Sequence, residues 1–214
     1  MIKVENVEVS GWEAALRGMR NPLASHNKAD SFMRNGEIII GPNDLDLMKR
    51  LTKAGPEHRK FLRMIHVQMD LTIPLYFEKQ FSTYKVGTVT NSYSTMHTIH
   101  KNGIDYDLFS FDGGAELDEQ DREVVDRYIH LLEKLRKECK SGDEKWRTLI
   151  QLLPSSFNQK RTIDLNYETA LTMIRQRRGH KLSEWNEFLD VLEGLPYMNE
   201  LVETMLNKGL TQNE

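Results

Sequence analysis

Cysteine is almost absent from this sequence, since Cys139 is the only one in 214 residues. An intrachain disulfide needs two cysteines, so a disulfide-stabilised scaffold is excluded and a reducing compartment is favoured. Cysteine-rich zinc sites are excluded for the same reason. His97 and His100 form an HxxH pair, but no third ligand at a clear spacing accompanies them, and we expect no metal site.

The sequence also lacks a strong charge imbalance and a long hydrophobic run. Its formal net charge is −3 and its pI is near 6.2, so we expect neither nucleic acid nor an anionic membrane as a partner. No run approaches the ~20 apolar residues of a membrane helix, and the first residues do not resemble a secretory signal. We expect a cytoplasmic protein with a single domain over residues 1–214.

Several motifs of common enzyme classes are missing as well. The sequence contains no P-loop, no dinucleotide-binding fingerprint, no nucleophile elbow and no HExxH helix. No catalytic residue can therefore be assigned from the residues alone.

Helix and strand patterns are both present. Apolar and polar residues alternate from Ile65 to Ile73, which predicts a strand with one buried face. Residues 160–165 predict a second, shorter strand. Asp118 and Asp121 are predicted to open a long amphipathic helix. These patterns together indicate an α+β protein.

The segment from Ser82 to Thr98 is rich in Ser, Thr and Tyr. A helix before it is predicted to end near Lys85, with Gly87 closing it through a positive φ and a polar loop or strand beginning around Thr88. Two interpretations remain open. The hydroxyl groups can bind a phosphate or a ribose, or the segment can be an exposed Ser/Thr-rich strand.

Helical geometry places one arginine on an apolar stripe. At 100° per residue, Arg177 falls in the apolar sector of a helix that begins at Asn166. A guanidinium keeps its charge, so we expect Arg177 to contact either an internal carboxylate or an anionic ligand. Arg175 and Arg178 fall off this stripe and are expected to be solvated.

An earlier helix, WEAALRGMR, also carries two arginines. For Arg17 and Arg20 we expect an ordinary solvated helix face. The alternative is a role in a binding site, because the run RGMRNPL resembles an early arginine-containing segment of the family named next.

The segment from Tyr84 to His97 resembles, without gaps, the signature RHRxxSxNExSxRY of flavin-dependent thymidylate synthases. Asn91 and Ser94 match this signature outright. The other specified positions of the signature are occupied by different residues. These are Tyr84, Lys85, Val86, Val89, Ser92, Met96 and His97.

Two further elements resemble the same family, in the same order along the chain. One is the EHxxF element before a strand, and the other is the LP…NA(R)…R element. The matching residues are Glu57, His58, Phe61, Leu153, Pro154, Asn166 and Arg177. The spacing from Glu57 to Tyr84 is longer than in the family by roughly two helical turns. Ile150 stands where the family has an arginine.

The resemblance implies a flavin-dependent thymidylate synthase-like fold, a mixed sheet with long flanking helices. It implies a homotetramer whose FAD and deoxyuridine monophosphate (dUMP) sites lie at subunit interfaces. In the family, a one-carbon unit passes from methylenetetrahydrofolate to the pyrimidine and reduced flavin supplies the hydride.

The resemblance also implies roles for individual residues. The residues expected near FAD are Glu57, Lys85, Asn91 and Asn166. The residues expected near the nucleotide are Ser92, Ser94, Thr95 and Arg177.

Two functions are compatible with the resemblance and its departures. The first is a divergent thymidylate synthase-like flavoprotein that binds FAD and a pyrimidine nucleotide and transfers a one-carbon unit to an altered substrate. NADPH and methylenetetrahydrofolate are expected only if such a reaction takes place. The second is an inactive protein that binds and sequesters a nucleotide. Loss of signature arginines at Tyr84, Val86 and Met96 removes charge-assisted bonds of about 1.5–3 kcal/mol each.

Overall fold

The computed structural model describes residues 2–111 and 117–206. Its strands are β1 (Lys3–Ser10), β2 (Phe32–Arg34), β3 (Glu37–Ile39), β4 (His66–Pro74), β5 (Thr88–Ser92) and β6 (Asn158–Asn166). Its helices are α1 (Trp12–Arg20), α2 (Pro42–Ala54), α3 (Leu75–Phe81), α4 (Thr95–Thr98), α5 (Glu119–Glu138), α6 (Glu144–Leu152), α7 (Tyr167–Arg177), α8 (Ser183–Glu193) and α9 (Met198–Leu206). The predicted α+β class is confirmed. None of the described helices is long and apolar enough to span a bilayer.

Four strands form one sheet in the order β1-β4-β6-β5, and β2 pairs antiparallel with β3 in a separate hairpin. The alternation predicted for β4 is confirmed, because its odd-numbered residues are buried and its even-numbered residues from His66 to Thr72 are half-buried. His66 pairs with Asp164 at 3.0 Å, and Asp70 accepts from Thr162 at 2.6 Å. These pairs show that β4 and β6 run antiparallel.

The described residues divide into two compact units. The unit that we call the α5–α6 unit contains the described residues among Met1–Lys3, Asp70–Thr83 and Thr90–Thr162. The unit that we call the α7 unit contains Val4–Met69, Tyr84–Val89 and the described residues from Ile163 onward. The expectation of a single domain over residues 1–214 stays a prediction.

Each unit has its own apolar core. In the α5–α6 unit, apolar side chains from α5, α6 and the preceding loops cluster around the fully buried Leu132 and Leu149. In the α7 unit, α7 packs against α8, α9 and the 3-10 helix Lys60–Met64. The largest fully buried side chain of that unit is Trp185.

The helix before the hydroxyl-rich segment ends earlier than predicted. It stops at Phe81 instead of near Lys85. The hydroxyls of Ser82 and Thr83 donate to carbonyl oxygens of the last turn at 3.2 and 2.7 Å, so they take over the role of continuing helical N–H groups. Gly87 has the expected positive φ of 77°, but it lies in the turn before β5.

The expectation that Arg20 is solvated is wrong. Its side chain is 3% exposed and Nε donates to Asp44 Oδ1 at 2.6 Å, while Nη1 and Nη2 donate to two backbone carbonyls. Burial by itself raises the pKa of Asp44, but hydrogen bonds from Ser31 and Asp30 and the nearby Arg20 lower it overall. Arg17 is exposed, as predicted.

Candidate functional site

Arg177, the last residue of α7, packs against the rings of Tyr84 and Trp185, which we call the aromatic corner. Its Nε donates to the Tyr84 hydroxyl at 2.9 Å, and that hydroxyl donates to Gln176 Oε1 at 3.0 Å. The guanidinium carbon lies 4.7 Å from the ring centroid of Trp185 and 5.5 Å from that of Tyr84. A cation on aromatic faces is attracted by the ring quadrupole, so these contacts fix the guanidinium. Its predicted contact with an anion stays a prediction.

The aromatic corner is itself supported from α8. Trp185 is fully buried and meets Tyr84 edge-on at 5.9 Å between centroids. Phe188 and His180 contact Trp185 at 6.3 and 6.2 Å. The indole therefore has little freedom to move, and the position of Arg177 depends on α8 as well as α7.

Asn166 caps the other end of α7. Its Oδ1 accepts from the backbone N–H of Thr169 at 2.9 Å and lies 3.1 Å from the Thr169 hydroxyl. Its backbone N–H donates to Gly87 O at 3.2 Å, and the Thr169 hydroxyl lies 3.0 Å from Val86 O. The segment 84–87 therefore contacts α7 at both its first and its last turn. Because the Asn166 carbonyl is used by the cap, its amide –NH₂ is the group that can donate to a ligand.

Lys85 and Glu57 are both exposed. Lys85 lies between the residues that make the two contacts of segment 84–87 with α7. Glu57 lies elsewhere in the α7 unit, 3.7 Å from His58 Nε2, and borders a cavity of about 380 Å³ together with residues of α1 and α2.

The sequence motif around Glu57 gave no indication of its neighbour Arg59. The Arg59 side chain is 6% exposed and makes a two-bond contact with Glu168 of α7, Nε to Oε2 at 2.8 Å and Nη2 to Oε1 at 2.9 Å. This fork-to-fork geometry fixes the EHxxF-like segment to the first turn of α7.

The remaining predicted residues belong to the α5–α6 unit. Asn91 and Ser92 are exposed residues of β5. Ser94 precedes α4, and Thr95 is its first residue and is half-buried. The Thr95 hydroxyl accepts from Gln159 Nε2 at 3.1 Å, so β6 holds this part of the segment.

Two signature positions that carry arginine in the family carry exposed apolar side chains here. Val86 is 90% exposed and Met96 is 52% exposed. Neither side chain can hold a phosphate, and neither is used for core packing. The third position is Tyr84, whose hydroxyl binds Arg177.

A third buried arginine is Arg161 of β6, which the sequence analysis did not predict. Its side chain is 3% exposed, Nη1 lies 2.9 Å from Glu78 Oε1, and Nη2 donates to Gln159 Oε1 at 2.8 Å. Burial lowers the pKa of Arg161, and the Glu78 carboxylate opposes that effect. The alternation of the predicted strand could have indicated that Arg161 is buried, because Arg161 shares one face of that strand with Ile163 and Leu165.

The structure thus groups the eight predicted site residues as follows. Asn166 and Arg177 lie at opposite ends of α7, and Lys85 belongs to the segment 84–87 that contacts both ends. Glu57 lies beside a separate cavity of the same unit. The other four are in or directly after β5 in the α5–α6 unit. Their proposed ligand contacts stay predictions. Among the described residues, no group of three His, Cys, Asp or Glu is placed to hold a metal ion.

Comparison with known proteins gives a fold and no sequence relative. No protein-family model matches the chain, and no curated protein sequence does either. A structure of Thymidylate Synthase X (ThyX) from Helicobacter pylori with FAD and dUMP is 15% identical, with a TM-score of 0.67 over 96% of this chain and 99% of that chain.

Two further solved structures are similar to the chain at the same identity. A second structure of ThyX from Helicobacter pylori complexed with FAD and dUMP is 15% identical, with a TM-score of 0.64 over 96% and 98% of the two chains. The UMP/dUMP methylase PolB from Streptomyces cacaoi, bound with 5-Br dUMP, is 15% identical, with a TM-score of 0.63 over 98% and 95%. The chain therefore has the fold of flavin-dependent thymidylate synthases, as the signature resemblance predicted.

Proposed function

We propose that this protein binds FAD and a pyrimidine nucleotide, and that any one-carbon transfer it carries out uses an altered substrate. The shared fold supports this proposal, because one similar structure holds FAD and dUMP and another holds 5-Br dUMP. The observation that carries it is the position of Arg177, which matches an arginine of the LP…NA(R)…R element. Tyr84, which stands where the signature has its first arginine, holds Arg177 through a hydrogen bond.

An altered substrate is supported by the loss of cations. Val86 and Met96 replace residues that form charge-assisted bonds of about 1.5–3 kcal/mol each. Losing two such bonds lowers the affinity for the family's own nucleotide by orders of magnitude. Positioning of reacting groups is lost steeply with small displacements, so we expect no thymidylate synthesis at an ordinary rate.

The residues of the α7 unit fit an anionic, hydrogen-bonding cofactor such as FAD. Lys85 is an exposed cation that can neutralise a phosphate, and the Asn166 –NH₂ group can donate a hydrogen bond. When bound and reduced, FAD supplies a hydride. Glu57 and Asn91 are exposed and complete the proposed cofactor contacts, whereas Ser92, Ser94 and Thr95 join Arg177 on the nucleotide.

We also propose a homotetramer with sites shared between copies. Asn166 and Arg177 lie at opposite ends of α7, about 16 Å apart by helical rise, which is too far for one small ligand to contact both from one face. Light scattering tests this point. A monomeric mass in solution would remove the shared-site arrangement. A cytoplasmic location and small-molecule nucleotides as partners belong to the same proposal.

A second function, nucleotide binding without chemistry, is favoured by the exposed Val86 and Met96 at catalytic signature positions. Such a protein keeps the nucleotide contact of Arg177 and sequesters its ligand. It has no need of NADPH or methylenetetrahydrofolate.

The deciding experiment begins with the absorbance spectrum of the purified protein and identification of the small molecules that it releases. An assay with FAD, NADPH, methylenetetrahydrofolate and dUMP follows, together with growth of a thymidine-requiring strain. Bound flavin without turnover supports an altered substrate, and nucleotide binding without flavin supports sequestration. Robust turnover with growth contradicts both, and binding of neither ligand leaves only the fold in common.

A further inference from the structure

A cavity of about 230 Å³ lies in the α5–α6 unit. Typical small-molecule pockets measure roughly 300–1,000 Å³, so this cavity suits a single heterocycle and is too small for a dinucleotide. Its lining is rich in amide and aromatic groups. The lining residues that matter here are Tyr93, Thr95, Asn102, Phe157, Asn158 and Gln159.

The lining is electrically balanced. Lys160 and Asp107 are its two charged residues, and Lys160 Nζ already lies 3.4 Å from Asp70. A phosphate would need an excess of cations, which this cavity does not offer. The charges therefore favour a neutral ligand.

The amide of Gln159 has one possible orientation. An arginine can only donate hydrogen bonds, so the Gln159 atom that faces Arg161 Nη2 at 2.8 Å must be Oε1. Nε2 then points the other way, where it donates to Tyr93 O at 2.5 Å and to the Thr95 hydroxyl at 3.1 Å. Both N–H groups of Gln159 are used, so Gln159 holds the loop and does not contact a ligand with them.

Arg161 holds Gln159 in that orientation. Its buried guanidinium is anchored by Glu78 at 2.9 Å, and its Nε has no hydrogen-bond partner among the described residues. Moving a buried charge away from its anion is costly, so the chain from Glu78 through Arg161 to Gln159 is rigid.

Thr95 and Asn158 use their side-chain acceptor atoms within the protein, which leaves their donor groups for a ligand. The Thr95 hydroxyl accepts from Gln159, and its own proton meets no acceptor within residues 2–111 and 117–206. Asn158 accepts from the Ser110 hydroxyl through Oδ1 at 2.9 Å, which leaves its –NH₂ group as a donor. Two donors beside the ring of Phe157 suit a planar ligand with carbonyl groups at its edge.

We propose that this cavity binds one neutral planar heterocycle with carbonyl groups at its edge, such as the base of a nucleoside. Arg161 and Gln159 are positioning residues that hold Thr95 toward this ligand. The choice of a nucleoside rests on the proposed function, whereas the size, charge and donor pattern rest on the cavity alone.

The test is calorimetric titration of the full-length protein with uridine, a neutral nucleoside with a carbonyl-edged ring, and with adenosine, whose two-ring base has no carbonyl. Uridine should bind at least tenfold more tightly than adenosine. Gln159→Glu keeps the size and the acceptor toward Arg161 but removes the donors to the loop, so it should weaken uridine binding at least tenfold. Gln151→Glu, at an exposed glutamine of α6, is the matched control and should bind uridine like the wild type.

Thr95→Val covers the case in which Gln159→Glu does not fold, because it removes only a half-buried hydroxyl. It should also weaken uridine binding at least tenfold, with unchanged circular dichroism. The proposal is overturned if uridine binds no better than adenosine, or if a folded Gln159→Glu or Thr95→Val protein binds uridine normally. Parallel titrations with FAD and dUMP separate the two proposals. Binding of these without uridine removes the cavity proposal alone, and binding of uridine without them removes the proposed function alone.

Discussion

Tyr84 and Arg177 are joined by a hydrogen bond of 2.9 Å although 93 residues separate them in sequence. Tyr84 occupies the position of the first signature arginine, and Arg177 matches an arginine that the family directs at the nucleotide. A hydroxyl and a ring thus stand where the signature has a cation, and both contact the guanidinium of Arg177. Any effect of Tyr84 on nucleotide binding should therefore act through Arg177.

Removing the Tyr84 hydroxyl should weaken binding of dUMP or UMP. Tyr84→Phe keeps the ring beside Arg177 but removes the hydroxyl that accepts from Arg177 Nε. The binding free energy should therefore weaken by about 1–2 kcal/mol, which raises Kd roughly 5- to 30-fold. Calorimetry measures the change, and quenching of the buried Trp185 gives a second readout. Tyr106→Phe, at an exposed tyrosine, serves as the control. An unchanged Kd for Tyr84→Phe would show that Arg177 needs no positioning by this hydroxyl.

Truncation of Arg177 should have a larger effect. If the guanidinium contacts a phosphate, Arg177→Ala weakens nucleotide binding by about 2–4 kcal/mol without unfolding the protein. Arg175→Ala, at an exposed position on the same helix, should bind like the wild type. If Arg177→Ala unfolds the protein whereas Arg175→Ala does not, the internal structural role is the correct one.

The buried pair of Arg59 and Glu168 should matter for stability. Glu168→Gln leaves a guanidinium buried without its anion, so the free energy of unfolding should fall by about 3–5 kcal/mol in urea denaturation. Asp46→Asn breaks the exposed pair with Arg50, in which the two side chains lie 2.8 Å apart. This variant should change the free energy of unfolding by less than about 1 kcal/mol. Equal losses for the two variants would contradict the importance of burial.

Glu133 should make stability depend on pH in the acid range. A hydrogen bond from Arg136, opposed by burial and reinforced by the Ile104 N–H, lowers the pKa of Glu133 from 4.5 to about 2. Because the pKa of Glu133 is lower in the folded state, its contribution to the free energy of unfolding is complete above pH 4.5 and is lost as pH falls toward 2. Glu133→Gln should cost about 1–3 kcal/mol at pH 7 and much less near pH 2, as measured by urea denaturation. Glu123→Gln, exposed on the same helix, should have little effect at either pH.

Features that depend on near neighbours in sequence were predicted well. The alternation of β4 and the inward direction of Arg177 both follow from the geometry of a few consecutive residues. Asp118 caps α5 by accepting from the Asp121 N–H, as its position before the helix indicated.

Features that depend on distant partners could not be predicted in this way. Arg20 finds Asp44 24 residues later, and Arg59 finds Glu168 109 residues later, so neither pair has a local pattern. The signature resemblance located the candidate site, but it could not indicate that Tyr84 binds Arg177. For Asn166 the resemblance implies a flavin contact, which stays a prediction, and the structure shows in addition that its side chain caps α7.

The close approach at Gly87 has a mechanical consequence. A side chain there would lie 2.3 Å from Asn166 Nδ2 and 2.9 Å from the Thr169 hydroxyl, the two groups that start α7. The loop is held to the start of α7, because the Asn166 backbone N–H donates to Gly87 O and the Thr169 hydroxyl lies 3.0 Å from Val86 O. Opening of the loop must break both of these bonds, and hydrogen exchange of the Asn166 amide, which donates to Gly87 O, reports how often that happens.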